Sequence, residues 1–213
     1  MNGLLFKEGS EMYLSKVMVN WKWVENPYKL HKALWQLFPD RDGQKRDFQF
    51  RVEQYQKGIG ALVLLQSEQE PINADVAMIM ASKSFKPNIE TGSIIRFKLR
   101  ANPVKTIKDK YGRLTKKGEP KSCRVPLLKE EDQINWLQRK LEGKATLQSI
   151  QVQVEKPLYF YKESEDRRGQ IKPVCFEGVL SIDNAEAFSQ MLQTGIGAAK
   201  GMGCGMLSLA PAG

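Results

Sequence analysis

The sequence predicts an α+β protein built from two tandem ferredoxin-like (RRM-like) domains, each with the element order β-α-β-β-α-β. Stretches that alternate between apolar and polar residues recur along the chain, as half-buried strands do, and capped helical patterns separate them. The chain has 213 residues, enough for two domains of about 100 residues each. Its hydrophobic content of 41% suffices for globular cores and argues against wholesale disorder.

The two predicted domains span residues 12–102 and 103–213, and they join near Asn102-Pro103. We expect residues 1–11 to be an N-terminal extension, with the real start at Met12. The only apolar block of the extension, Leu-Leu-Phe, is too short for a signal peptide.

In the N-terminal domain, a stretch rich in β-formers predicts a first strand at 12–20. Asn26 then supplies an N-cap and Pro27 a first helical position, for a helix that ends before Pro39. The other predicted elements are strands at 48–56 and 61–68, a short helix at 73–80 and a strand at 93–100.

In the C-terminal domain, the strand-like stretch 104–125 contains turn signals and predicts a basic hairpin. An amphipathic helix is predicted at 129–143, where Gly143 is a C-terminal stop. The remaining elements are strand patterns at 147–162 and 171–182, a capped helix at 183–195 and a final strand at 205–211.

Composition narrows the class of protein. The longest aliphatic run, Ala61 to Leu65, is far shorter than the ~20 residues that span a bilayer. Three widely spaced cysteines form no CxxC, and with a single histidine a zinc site is not expected. We therefore expect a soluble, cytoplasmic protein with no metal and no cofactor.

Basic residues are concentrated in one stretch of the chain. Between Arg96 and Arg124 eleven residues are basic and two are acidic, so this stretch accounts for the whole net charge of +9. A solvated face is the ordinary explanation of a charged run. One-sided charge instead indicates phosphate binding, because neutralised phosphates release their counterions. The stretch has no strong amphipathic helical pattern, which disfavours a membrane surface.

The segment 195–205 contains five glycines and resembles a nucleotide-binding loop only in composition. It follows a helix, whereas a dinucleotide fingerprint follows a strand and opens a helix. Glycine allows close approach to another backbone or to a phosphate, and Lys200 adds a charge. Packing between the domains and contact with RNA both remain open for Gly195, Gly197, Gly201, Gly203 and Gly205.

The only histidine, His31, lies on the predicted helix that starts at Pro27. At 100° per residue it shares the border of the buried stripe with Tyr28 and Trp35. A packing role is the ordinary expectation for a lone histidine. Its unperturbed pKa, near 6.5, also suits proton transfer. The residues alone leave both roles open.

Several sequence blocks, in order and over nearly the whole chain from Met12, resemble the CasE family. These are the CRISPR-associated endoribonucleases that process precursor CRISPR RNA in type I-E systems. The blocks are MYLSKV, NPYKLHKALWQLFPDR, RDFQFRVE, FKLRANPVKT, CRVPLLKE, VCFEGVL and GIGAAKGMGCGMLSLAP.

The resemblance implies metal-independent cleavage at the 3′ base of a repeat hairpin. It also implies that the product RNA stays bound within the Cascade complex, in contact with other subunits, especially the backbone subunit. The family's catalytic tyrosine and histidine match Tyr28 and His31 here. Candidates for phosphate or transition-state support are Lys32, Arg167, Arg168 and Lys172.

We expect the basic stretch to hold a helical RNA, because A-form RNA is recognised mainly through shape and phosphates. Single-stranded RNA on the sheets is the rival geometry, although no RNP-type motif is present. The candidate RNA-binding residues are Arg100, Lys105, Lys108, Lys110, Arg113, Lys116, Lys117, Lys121, Arg124 and Lys200.

Two other classes of protein remain possible from the sequence. One is a non-catalytic hairpin-binding subunit of the same complex, in which His31 is structural. The other is a metal-dependent nuclease, which the lack of a convincing DxD or DExK cluster disfavours.

Overall fold

The computed structural model describes residues 12–39, 46–108, 111–114, 118–120, 122–162 and 166–212. Two four-stranded antiparallel sheets form the framework, and two separate hairpins extend from the second one. Each sheet has its own hydrophobic core. None of the helices in the described part of the chain is long and apolar enough to cross a membrane.

The first domain is a ferredoxin-like sheet with only the first of the two usual crossover helices. Its strands run in the antiparallel order β2-β3-β1-β4. Between β3 and β4, residues 68–76 contain no helix. The elements are β1 (Met12–Asn20), α1 (Trp21–Val24), α2 (Pro27–Trp35), β2 (Phe48–Gln56), β3 (Gly60–Ser67) and β4 (Ala77–Phe85).

Helix α2 forms for the local reasons that the sequence suggests. Asn26 caps it and Pro27 is its first residue. Its apolar stripe, Leu30, Ala33 and Leu34, is buried against the sheet. The helix therefore has a fixed rotation, and Tyr28 and His31 are half-buried at its border.

The second domain is a complete ferredoxin-like unit. Its sheet has the order β12-β5-β11-β8, and α3 and α4 are its two crossover helices. The elements are β5 (Ile94–Ala101), β6 (Val104–Lys108), β7 (Ser122–Pro126), α3 (Glu130–Leu141), β8 (Ala145–Val154), β9 (Leu158–Lys162), β10 (Arg167–Ile171), β11 (Val174–Ile182), α4 (Ala185–Thr194) and β12 (Leu207–Pro211).

The predicted division into domains at residue 102 is wrong. Strand β5, expected to complete the first sheet, pairs with β11 and β12 and is the first strand of the second sheet. The fourth strand of the first sheet is β4, which pairs with β1. The short helix predicted at 73–80 is also wrong, since β4 begins within it at Ala77. A short apolar run does not distinguish helix from strand by periodicity.

The basic stretch 104–125 forms the predicted hairpin. Strands β6 and β7 pair only with each other, so they extend from the second domain and are not part of its main sheet. Strands β9 and β10 form a second such hairpin. In the chain, both hairpins are inserted between strands of the second sheet, and the strand order of that sheet stays ferredoxin-like.

Buried polar side chains join the two domains. Gln49 on β2 donates to the carbonyl oxygens of Leu192 and Gln193 at 2.9 and 2.6 Å. Gln66 on β3 donates to the Leu192 oxygen at 3.1 Å. These amides are buried, so losing either contact would leave unsatisfied polar groups at the joint.

Candidate active site

A cleft of about 600 Å³ opens where α2 of the first domain meets the two hairpins of the second. The start of α2, the β6–β7 hairpin, strand β10 and the glycine-rich segment 195–205 all contribute to its walls. The predicted catalytic helix, the basic hairpin and the glycine-rich segment thus converge at this cleft.

The N-terminus of α2 is fixed by Asn26. Its side-chain oxygen accepts a hydrogen bond from the Tyr28 backbone N–H at 3.0 Å. Its Nδ2 donates to the carbonyl oxygen of Tyr161 on β9 at 3.0 Å. The cap thus anchors the helix to the second domain, and it satisfies one of the backbone N–H groups at the start of the helix.

Tyr28 lies at the cleft and packs against Phe160. The two ring centroids are 5.4 Å apart in an edge-on arrangement, and both residues line the cleft. Gly169 on β10 pairs with Phe160 across the hairpin and leaves room for its ring, because a Cβ on residue 169 would lie 2.2 Å from the phenyl ring. The result is an aromatic wall of the kind on which an unstacked base packs.

His31 lies one turn further along α2 and is enclosed by aromatic rings. Its centroid is 6.3 Å from that of Trp35 and 5.9 Å from that of Phe48. Its Nε2 is buried without a hydrogen-bond partner among the described residues. Burial, together with the nearby charge of Arg46, lowers its pKa to about 4. The imidazole is therefore neutral at pH 7 and able to accept a proton.

Arg46 was not identified from the sequence and lies beside His31. Its guanidinium carbon is 5.8 Å from the centroid of the Phe48 ring. A Cβ on Gly201 would lie 3.6 Å from Arg46 Nη1 and 3.7 Å from His31 Cε1. Burial lowers the pKa of Arg46. No local pattern marks this arginine, because its proximity to His31 arises from tertiary folding.

The glycine-rich segment packs between the domains. Gly195 has φ +71°, and a Cβ there would lie 2.1 Å from Oε1 of Gln49 on the first domain. Gly201 lies in the 3₁₀ turn Lys200–Met202 and covers His31. Close approach of the backbone to Gln49 therefore explains Gly195, whereas a Cβ on Gly201 would make only ordinary contacts. Gly197, Gly203 and Gly205 likewise adjoin Trp136, Phe50 and Ile196. RNA contact by the segment stays a prediction.

The cationic candidates divide by position. Lys172 lines the cleft together with Tyr28, and Arg124 reaches it from β7. Lys32 and Arg168 are exposed and are not part of the cleft wall. Arg167 belongs to β10, and its side chain lies outside the described part of the structure. Of the four predicted phosphate-support residues, Lys172 is thus the best placed.

The basic hairpin presents charge on both faces. By the pairing register, Lys108 and Arg124 share the face that lines the cleft, and Lys105 lies on the opposite face. Arg113 is exposed, with its guanidinium carbon 5.7 Å from the centroid of the Tyr111 ring. The predictions for Lys110, Lys116, Lys117 and Lys121 lie outside the described residues.

The prediction that Arg100 binds RNA is wrong. Only 5% of it is exposed, and it forms an ion pair with Glu155, with Nη2 2.7 Å from the carboxylate. Such a buried charge is held by its partner and is not available to a phosphate. Lys200 is half-buried and donates to the Thr194 carbonyl oxygen at 2.5 Å, so its ammonium is also engaged within the protein.

Among the described residues, no three His, Cys, Asp or Glu side chains lie close enough together to hold a metal ion. The cleft instead combines two cations, aromatic rings and a neutral imidazole nearby. These groups can bind a phosphate, pack against a base and move a proton.

Comparison with known proteins identifies the family. A family model described as CRISPR associated protein matches residues 12–211. The chain is 48% identical over 200 residues to the CRISPR system Cascade subunit CasE of Escherichia coli (strain K12), covering 94% of this chain and 100% of CasE. It resembles the crystal structure of Cas6e from E. coli K-12 with a TM-score of 0.81, 47% identity and coverage of 93% and 99%.

A second relative is the CRISPR-associated endoribonuclease Cse3 of Thermus thermophilus. It is 29% identical over 223 residues, covering 94% of this chain and 100% of Cse3. The structure of Thermus thermophilus Cse3 bound to an RNA that represents a pre-cleavage complex matches with a TM-score of 0.72, at 29% identity and coverage of 94% and 100%.

Proposed function

Because this chain belongs to the CRISPR associated protein family, we propose that it is an endoribonuclease that processes precursor CRISPR RNA. It binds the repeat hairpin, cuts at the 3′ base of the stem and keeps the product. The observation that supports this best is the meeting of α2, the basic hairpin and the glycine-rich segment around one cleft. Relatives named as a Cascade subunit and as an endoribonuclease support the same activity.

The reaction uses a nucleophile that RNA supplies itself. The 2′-hydroxyl attacks the adjacent phosphorus, a new P–O2′ bond forms and the P–O5′ bond breaks. The proton of the 2′-hydroxyl passes to a base, and a proton must reach the leaving O5′. Products are a 2′,3′-cyclic phosphate and a 5′-hydroxyl.

His31 is the proposed base, since its lowered pKa keeps the imidazole neutral at pH 7. The Nε2 of His31 is buried. Either the imidazole ring or the 3₁₀ turn that contains Gly201 must therefore shift when RNA enters. The charge of a bound phosphate would then raise the pKa of His31 and favour proton uptake.

Tyr28 and Lys172 are the proposed ligands of the scissile phosphate, because both line the cleft beside the start of α2. A phenol donor and an ammonium stabilise the charge that develops on the phosphate oxygens. Arg46 can act with them once its neighbour His31 is uncovered.

Recognition of the stem is assigned to the β6–β7 hairpin and the charged segment between its strands. The partners of the protein are the repeat hairpin, the mature CRISPR RNA and other Cascade subunits, with the backbone subunit foremost. A bacterial RNA-processing role of this kind belongs in the cytoplasm.

A cleavage assay distinguishes this function from its alternatives. Under single-turnover conditions, with protein in excess over a labelled repeat hairpin, we expect one cut at the base of the stem with excess EDTA present. Hairpin binding without any cut would select the non-catalytic binding subunit. Cleavage that EDTA abolishes and Mg²⁺ restores would select a metal-dependent nuclease. An unpaired RNA of the same composition is the control.

A further inference from the structure

The cleft wall contains a side-chain oxygen that has no hydrogen-bond partner in the described part of the chain. Asn102 is only 6% exposed, yet its Oδ1 has no hydrogen-bond partner among the described residues. It follows β5 directly and lines the cleft with Tyr28 and Lys172. A buried amide oxygen without a partner destabilises the protein, because its hydrogen bond to water is lost and not replaced. Such a group in a cleft wall indicates a hydrogen-bond donor on the ligand.

The surroundings of Asn102 suit a nucleobase. Phe160 and Tyr28 supply aromatic surface, while Val104, Pro126 and Met202 supply apolar surface. A single unstacked base packs against such walls and leaves its edge free for a side-chain amide. A phosphate alone requires none of this apolar surface.

We propose that Asn102 recognises the base of a nucleotide adjacent to the cut, held unstacked in this cleft. The inference rests on the proposed function, because Tyr28 places the scissile phosphate in the same cleft. An amide offers an acceptor next to a donor. Each base presents its donors and acceptors at different positions along its edge, so an amide fixed in the cleft wall fits one base better than the other three. Asn102 therefore makes the enzyme selective for one base at that nucleotide.

The test compares repeat hairpins that carry each of the four bases on either side of the cut. Single-turnover rates at saturating protein should favour one base over the other three by about tenfold at one of the two positions. In Asn102→Ala the preference should shrink to within about threefold, mostly through slower cleavage of the preferred RNA. Asn102→Asp keeps the shape of the side chain but loses its donor, so it should lose the same preference.

Gln133→Ala is the matched control. Gln133 is also a buried amide with an unpartnered oxygen, but its Nε2 donates to Leu127 and it does not line the cleft. We expect Gln133→Ala to lower the Tm and to leave base preference unchanged.

Equal rates for all four bases with the wild-type protein would overturn the inference, even if neither Asn102 variant folds. So would an Asn102 variant that keeps the wild-type preference. A wild-type protein that cuts none of the hairpins would instead overturn the proposed function.

Discussion

His31→Ala should lose roughly 10²–10⁴ in single-turnover cleavage rate and keep its affinity for the hairpin. The neutral, half-buried imidazole of His31 is the only one in the chain, so no other histidine can replace it as a base. Binding depends on cations elsewhere on the protein, and these remain. The measurement is the cleavage rate at saturating protein, with affinity determined by a filter-binding titration.

Lys29→Ala is the matched control, since Lys29 is exposed on the same helix and belongs to no part of the proposed site. It should cut within a few-fold of wild type. Because His31 also packs between Trp35 and Phe48, His31→Gln, which keeps a polar side chain there, separates lost packing from lost chemistry. A His31→Gln protein that cuts at the wild-type rate would end the catalytic assignment.

Replacing Arg113, Lys116, Lys117 and Lys121 with alanine should weaken hairpin binding strongly. Each lost phosphate contact should also reduce the slope of log affinity against log salt by ~1 unit. In the sequence, these four residues belong to the segment that connects β6 to β7, whereas His31 belongs to α2. Once the RNA is bound at saturating protein, its cleavage rate should therefore change much less than its affinity.

A charge-matched control separates phosphate contacts from net charge. The variant with alanine at Lys83, Lys86, Arg139 and Lys140 loses the same four charges from exposed positions on other elements. It should bind with nearly the wild-type salt slope. If the variant with four alanines in the β6–β7 segment binds RNA normally but cannot cut it, the segment lines the active site and serves cleavage, not binding. If the variant with four alanines in the β6–β7 segment binds and cuts as well as wild type, the charge of that segment serves another surface, such as one that contacts Cascade.

Features that depend on neighbours in sequence could be predicted well. Helix α2 is an example, because Asn26, Pro27 and the stripe from Leu30 to Leu34 define its start and its buried face locally. The alternation in 48–56 likewise predicted β2 with its observed bounds. The ferredoxin-like element order followed from such segments together.

Pairing and proximity could not be predicted in the same way. The alternation of β5 indicates a strand, but its partners β11 and β12 are distant in sequence, so the sheet it joins depends on tertiary packing. Residues 73–80 are too few to separate a helical from an extended pattern.

The residues of the candidate site also divide into those that a local pattern indicates and those that only tertiary folding brings together. Tyr28 and His31 were found through a local motif. The proximity of His31 to Arg46 and Gly201, and the unpartnered Oδ1 of Asn102 among the described residues, arise only once distant segments are brought together. Arg100 was predicted to bind RNA because it belongs to a basic run, and its buried ion pair with Glu155 depends on a residue that is distant in sequence.

The chemistry of the cut ends tests the central claim most directly. A hairpin with a single 2′-deoxy nucleotide before the cut and its all-ribose counterpart are incubated with wild-type protein in EDTA, and the products are analysed by mass spectrometry. We predict no cleavage of the deoxy hairpin. The ribose hairpin should give a 2′,3′-cyclic phosphate (or the phosphate to which it hydrolyses) and a 5′-hydroxyl. Cleavage of the deoxy hairpin, or ends with a 5′-phosphate and a 3′-hydroxyl, would contradict attack by the 2′-hydroxyl.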